Sequence, residues 1–259
     1  MNAALFVVLS VLAPPPVIID EARPTRMQEY DEPRTARVNA RGASRIVIVA
    51  RSGWLRVNGK EGTTEVLAEG TARAPSADIL RDIKLTGTRE GDVVRIEVEI
   101  PKVSQQWQSD WDSGPALDLT VTVPDNIPVE IEDSSGELRV TGTAALDLDD
   151  NSGDAEISDV GGALRVRDGS GGLDIHDVRG DVTIDDGSGE IDVRDVTGSV
   201  TVRDGSGSIT ARAVSGTVHV ERDGSGGIRA DDVGGDLIVE RSRKRGVSYS
   251  GVKGRVRVE

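Results

Sequence analysis

The chain has 259 residues, a net charge of −14, no cysteine, and only one Phe, two Tyr and three Trp. The acidic balance argues against nucleic acid as a partner, since phosphate binding needs a basic face. Absence of cysteine excludes disulfides, thiol chemistry and Cys-ligated zinc, and the scarcity of aromatics disfavours an ordinary globular core and suits a thin one of aliphatics.

Residues 2–13 are an apolar run that ends at Pro14-Pro15-Pro16. This length fits the core of a signal peptide and is too short to span a bilayer. Residues 1–16 are therefore read as a signal or apolar segment, and the chain is expected to be exported, to the periplasm or cell surface, with no integral membrane span in the mature form. Residues 17–40 are polar, contain Pro24 and Pro33, and read as a linker.

Residues 41–131 read as an irregular β part. Ile46-Val47-Ile48-Val49 predicts a first buried strand. Ser52-Gly53-Trp54-Leu55-Arg56-Val57 is half of a block that recurs downstream, and predicts the first coil. Residues 63–74, 92–100 and 117–123 follow strand patterns, while Ala77 to Leu85 reads equally as a helical turn or a strand. Gln105 to Asp112 sets Trp107 and Trp111 in a polar stretch with amides and carboxylates. Exposed Trp in such company makes a platform for a sugar or a protein partner. The competing reading folds these rings over the open side of the first coils.

Residues 132–259 are a repeat. Asp168-Gly169-Ser170-Gly171-Gly172-Leu173-Asp174-Ile175-His176 is one block, and Asp177-Val178-Arg179-Gly180-Asp181-Val182-Thr183-Ile184-Asp185 is the next. The two types alternate, so the period is eighteen residues, with Asp150, Asp168, Asp186 and Asp204 opening successive pairs. Each block ends in a period-two alternation, the pattern of a half-buried strand. The Asp-Gly-Ser-Gly half is turn chemistry: Asp accepts a backbone N–H two residues on, and Gly supplies positive φ. Two strands and two corners make one coil of a parallel β-solenoid, whose irregular N-terminal part covers the open core. Leu173, Ile191 and Ile209 form one predicted inward column, and Val182, Val200 and Val218 another. Val160, Val178, Val196, Val214 and Val233 line one corner; the Asp-Gly-Ser-Gly corner shows no apolar equivalent. Thr141 to Asp149 is one residue short, and Arg222 reads as an insertion. The crossover rule predicts a right-handed coil.

These blocks, together with S-G-x-L-x-V upstream, resemble the bacterial putative-adhesin families built on β-solenoid repeats, above all the group labelled DUF4097. The resemblance covers roughly residues 40–258 and implies an envelope-associated chain. It supplies no catalytic residues.

The nonapeptides are similar to the calcium β-roll repeat, but the sixth position, which there holds the ligand, is here Leu173, Val182, Ile191 or Val200. A different cation ladder would need Asp150, Asp168, Asp186 and Asp204 at one corner, or Glu156, Asp174 and Asp192 on the neighbouring face. The simpler reading has these Asp as solvated corner caps, helped by Arg194 and Arg212, so no metal or cofactor is expected. Arg241 to Arg245 is a basic run that suits a solvated turn or an anionic surface. His176 and His219 fall on different strand types and form no dyad. A polysaccharide lyase would need a groove that eighteen-residue coils with short corners lack. The reading is a non-enzymatic envelope solenoid, acting as a structural or interaction module, with a protein or an envelope glycan as partner. The alternatives are a carbohydrate-binding adhesin using Trp107 and Trp111, and a cation-binding roll.

Overall fold

A computed structural model describes residues 30–102, 114–241 and 246–259. The N-terminal part runs β1 (Tyr30–Asn39), β2 (Arg45–Val49), β3 (Leu55–Lys60), β4 (Glu65–Ala74), α1 (Ala77–Asp82), β5 (Lys84–Glu90), β6 (Val93–Glu99) and β7 (Ala116–Pro124). The repeats follow as β8 (Val129–Asp133), β9 (Leu138–Thr141), β10 (Leu146–Asp150), β11 (Ala155–Val160), β12 (Leu164–Asp168) and β13 (Leu173–Val178). They continue as β14 (Val182–Asp186), β15 (Ile191–Val196), β16 (Val200–Asp204), β17 (Ile209–Val214), β18 (Val218–Asp223) and β19 (Ile228–Val233). The last strands are β20 (Leu237–Val239), β21 (Val247–Ser250) and β22 (Val256–Val258).

The strands form two facing sheets, and from β6 onward successive strands alternate between them. Among the described residues each sheet has eleven strands, ordered β1-β4-β7-β3-β9-β11-β13-β15-β17-β19-β21 and β22-β20-β18-β16-β14-β12-β10-β8-β2-β6-β5. From β8 onward every pairing is parallel and stacks like on like: Leu173 opposite Ile191 opposite Ile209, and Val182 opposite Val200 opposite Val218. The molecule is a parallel β-solenoid, and the inward columns predicted from the period are its core. Those residues are buried, as is the corner column Val160, Val178, Val196, Val214 and Val233. Parity explains the economy of this core. A side chain every second residue faces in, the sheets lie ~10 Å apart, and that gap suits Val, Ile and Leu better than rings.

Both irregularities are present. Val129 pairs with Leu146 and Leu138 with Ala155, a coil one residue short. Later Val202 pairs with Val220 but Arg203 with Arg222, so the residue skipped by the bulge is Glu221 rather than Arg222. The Asp-Gly-Ser-Gly corner explains its glycines. Gly189 has φ +154°, and a Cβ there would lie 1.6 Å from the Gly171 carbonyl oxygen of the preceding coil.

The first coil falls where the half-block predicts, with β2 on β8 and β3 on β9, both parallel. The chain then turns back: β6 and β7 stack on the far side of that coil, on β2 and β3. Beyond them the direction reverses, with β4 antiparallel to β7, β1 to β4, and β5 to β6. The linker reading of residues 17–40 is therefore corrected for Tyr30–Asn39, which is strand β1. Its Ala36 and Val38 pack against the core, and Arg34 ties it to the helix end by donating to the carbonyls of Ile83 (3.0 Å) and Leu80 (2.9 Å). Pro33 is tolerated because β1 is an edge strand. The ambiguous stretch from Ala77 resolves as helix α1 followed by β5. Ser76 caps the helix by accepting the Ile79 N–H, which settles the local choice. Among the described residues no helix is long and apolar enough to cross a membrane.

Candidate functional site

Trp107 and Trp111 lie outside the described residues, in the connection between β6 and β7. On one side β7 pairs with β3, which follows the remaining tryptophan. Leu55 is buried inside the coil, so Trp54 and Arg56 flank it on the outer side. The Arg56 guanidinium stacks over the Trp54 ring, 4.6 Å from its centroid. The Trp54 backbone N–H donates to Asp118 on β7, whose other carboxylate oxygen meets Arg73 on β4 at 2.7 Å. An aromatic ring at the start of β3, two guanidiniums and a carboxylate are thus brought together across β3, β7 and β4. In the sequence Trp54 stands only as part of a half-block, and its outward parity is the signal that sets it apart.

Further along the same sheet, Glu156, Asp174 and Asp192 form the predicted acidic column. Each is met by an arginine: Arg139 on Glu156 at 2.6 Å, Arg194 on Asp174 at 2.7 Å, and Arg212 on Asp192. This face is a ladder of ion pairs. Among the described residues no group of three or more His, Asp or Glu has the arrangement to hold a metal ion.

The first corner differs from expectation. Asp150, Asp168, Asp186 and Asp204 do cap the turn: one carboxylate oxygen of each accepts the N–H of Ser152, Ser170, Ser188 and Ser206, at 2.9–3.3 Å. They are not solvated. With Asp133 and Asp223 they form a column only 1–6% exposed. The reason is parity: in β14 the buried residues are Val182, Ile184 and Asp186, so the aspartate takes the next inward position. The corner that seemed to lack an equivalent of the valine column has one, made of carboxyls. In Asp133, Asp150, Asp168, Asp186 and Asp204 the second oxygen, Oδ2, is buried without a hydrogen-bond partner. Burial above all, then the charge of Asp150, pushes Asp133 up to about 7 despite the backbone N–H groups of Ser134 and Ser135. Burial, then the charges of Asp168 and Asp204, pushes Asp186 up to about 7, and burial raises Asp150 to about 6. Asp168 and Asp204 are also raised, mainly by burial.

The histidines stay apart. His176 on β13 meets Asp177 at 2.7 Å, and His219 on β18, in the opposite sheet, lies 3.4 Å from Glu240. Of the basic run only Arg241 is described, and it is exposed; residues 242–245 lie outside the described residues.

The class these features define is a capped parallel β-solenoid with ion-paired outer faces and a carboxyl column inside one corner. No protein-family model and no curated protein matches the chain, so the resemblance to DUF4097 rests on the repeats alone. Among solved structures, the chain is similar to a "putative cell adhesion protein" from Clostridium sporogenes, at 14% identity and TM-score 0.34, over 89% of this chain and 99% of that one. It is similar to a "putative adhesin" from Bacteroides fragilis at 14% identity and TM-score 0.38, over 88% and 97% of the two chains. A "putative lipid binding protein" from Parabacteroides distasonis gives 14% identity and TM-score 0.39 over the same shares.

Proposed function

We propose that the chain is an exported, non-enzymatic module of the cell envelope that presents an interaction surface on a stiff solenoid. The observation that carries this reading is the Trp54–Arg56 stack, held on β3 beside the strand that the Trp107 and Trp111 segment leads into. Ring faces with guanidinium and carboxylate edges suit sugar rings, whose C–H faces stack and whose hydroxyls accept and donate. An envelope glycan is therefore the partner that this surface fits best. The flat, ion-paired faces of the later coils serve as a scaffold, and the separation of His176 from His219 supports binding over catalysis.

A glycan array probed with the full chain, with Trp54→Ala and with the double variant Trp107→Ala/Trp111→Ala tests the reading. Binding to a defined glycan class, reduced at least ~10-fold in both variants, is expected, a loss of about 1.4 kcal/mol or more. Equal binding by all three proteins, or no binding to any glycan, would remove the carbohydrate reading and leave a scaffold.

A further inference from the structure

We propose that the first corner is a proton-sharing column: Asp133, Asp150, Asp168, Asp186 and Asp204 retain protons between their inward carboxyls in the folded state, so that the solenoid gains stability as its surroundings acidify. The geometry carries this. Parallel pairing sets Asp133 beside Asp150, Asp150 beside Asp168, Asp168 beside Asp186, and Asp186 beside Asp204. Adjacent strands lie ~4.8 Å apart, so each carboxyl has another above or below it. The corner's backbone donors are already engaged. The Ser N–H groups bond the first carboxylate oxygen, and the N–H groups of Gly169, Gly187, Gly205 and Gly224 bond the Asp main-chain carbonyls of the preceding coil, at 2.9–3.2 Å. With every carboxyl ionised, each Oδ2 is buried with no donor, the costly state for a polar group. A carboxylic acid changes that, because its O–H donates to the next carboxylate along the column. Two acidic groups in one desolvated site titrate together in this way.

The surroundings do little to neutralise the column. Asp149 acts on Asp150 and Asp154 on Asp168, both with negative charge. Asp223 acts on Asp204 from the following coil, and the Arg222 guanidinium partly offsets it. Asp186 lies between Asp168 and Asp204, and the negative charge of both acts on it.

The sign of the pH effect follows from linkage. An unfolded aspartate titrates near ~3.9, whereas Asp150 is raised to about 6 and Asp133 and Asp186 to about 7. Between these values the folded chain binds more protons than the unfolded one, so its stability falls as pH rises through the window. Above it the column is fully ionised and the favourable contribution is gone. Ordinary carboxylates held low by ion pairs give the opposite slope.

Thermal unfolding of the full chain at pH 8 and pH 5, beside Asp186→Asn, tests the proposal. The wild type is expected to melt more than ~5 °C higher at pH 5. Asn keeps an acceptor and adds an N–H donor without charge, so the variant should melt above wild type at pH 8, with the advantage shrinking at pH 5. A wild-type melting temperature that is flat or falls on acidification, with Asp186→Asn parallel to it, overturns the proposal. Carbon-detected titration of the wild-type carboxyls keeps the test independent of the variant's folding. Asp resonances with midpoints near 6 or above are expected, and midpoints all below ~5 would sink it. Melting at pH 8 with calcium and with EDTA separates a proton from a metal: no difference is expected, and a calcium-dependent rise that outweighs the pH effect would overturn the proton reading.

Discussion

At the scale of single residues, the repeat reuses one unusual backbone state in every coil. Asp159, Asp177, Asp195 and Asp232, each just before a corner valine, have φ between 51° and 58°. Aspartate tolerates this left-handed region better than most side chains, because its short polar group can bond locally. Ala213 occupies the same place with φ 52° and has no such help. Ala213→Asn should therefore stabilise the chain by about 0.5–1 kcal/mol, read as a higher urea midpoint with an unchanged m-value. An unchanged or lower midpoint would show that the corner gains nothing from a residue suited to the left-handed region at this position. The same residue scale holds what the sequence concealed. The aspartate of the Asp-Gly-Ser-Gly half was legible as a turn cap, and Ser188 and Ser206 do donate to it. Its burial was also written in the alternation Val182, Ile184, Asp186, but charge argued for water and parity for the core. Parity prevails because the strand's hydrogen bonds fix the direction of each side chain before its solvation is settled.

At the scale of strands, register decides what a substitution costs. Val200 is buried between Val182 and Val218, and Thr201, one residue on, lies on the outer face between Thr183 and His219. Val200→Asp puts a carboxylate with no donor into the dry core and should cost several kcal/mol. Thr201→Asp should fall within ~0.5 kcal/mol of wild type. Chemical denaturation of the two variants compares them directly; equal midpoints, or the reverse order, would exchange the inward and outward columns. Strands of the regular coils were legible because their alternation is phased by the corners. The N-terminal strands were legible as strands but not in their partners. Alternation in residues 63–74 and 92–100 says which side chains face in, and nothing about whether the neighbour runs parallel. Strand β1 escaped because Pro33 and its charged residues outweigh two small apolar positions, Ala36 and Val38, in any local reading; its ten-residue pairing with β4 is a tertiary fact.

At the scale of the whole molecule, the solenoid is a stack in which each coil contacts its neighbours and the N-terminal strands close one end. Stability is then close to a sum of coil and interface contributions. The period alone made this architecture legible, whereas the proposed binding surface was not: Trp107 and Trp111 stood out by composition, but the Trp54–Arg56 stack beside β7 depends on the order in which β6 and β7 fold back over β2 and β3. In this stack eighteen residues make one coil and nine make half of one. Deleting Gly187 through Asp204 removes one whole coil and joins Asp186 to Gly205, a corner of the same type, so that Ile209 stacks on Leu173. Deleting only Gly187 through Asp195 removes half a coil and sends every later strand to the wrong sheet. Circular dichroism with thermal unfolding should show the eighteen-residue deletion as a β-rich chain with a cooperative transition near that of wild type, and the nine-residue deletion without one. Cooperative unfolding of both deletions at the same temperature, or loss of folding only in the longer one, would contradict the eighteen-residue coil.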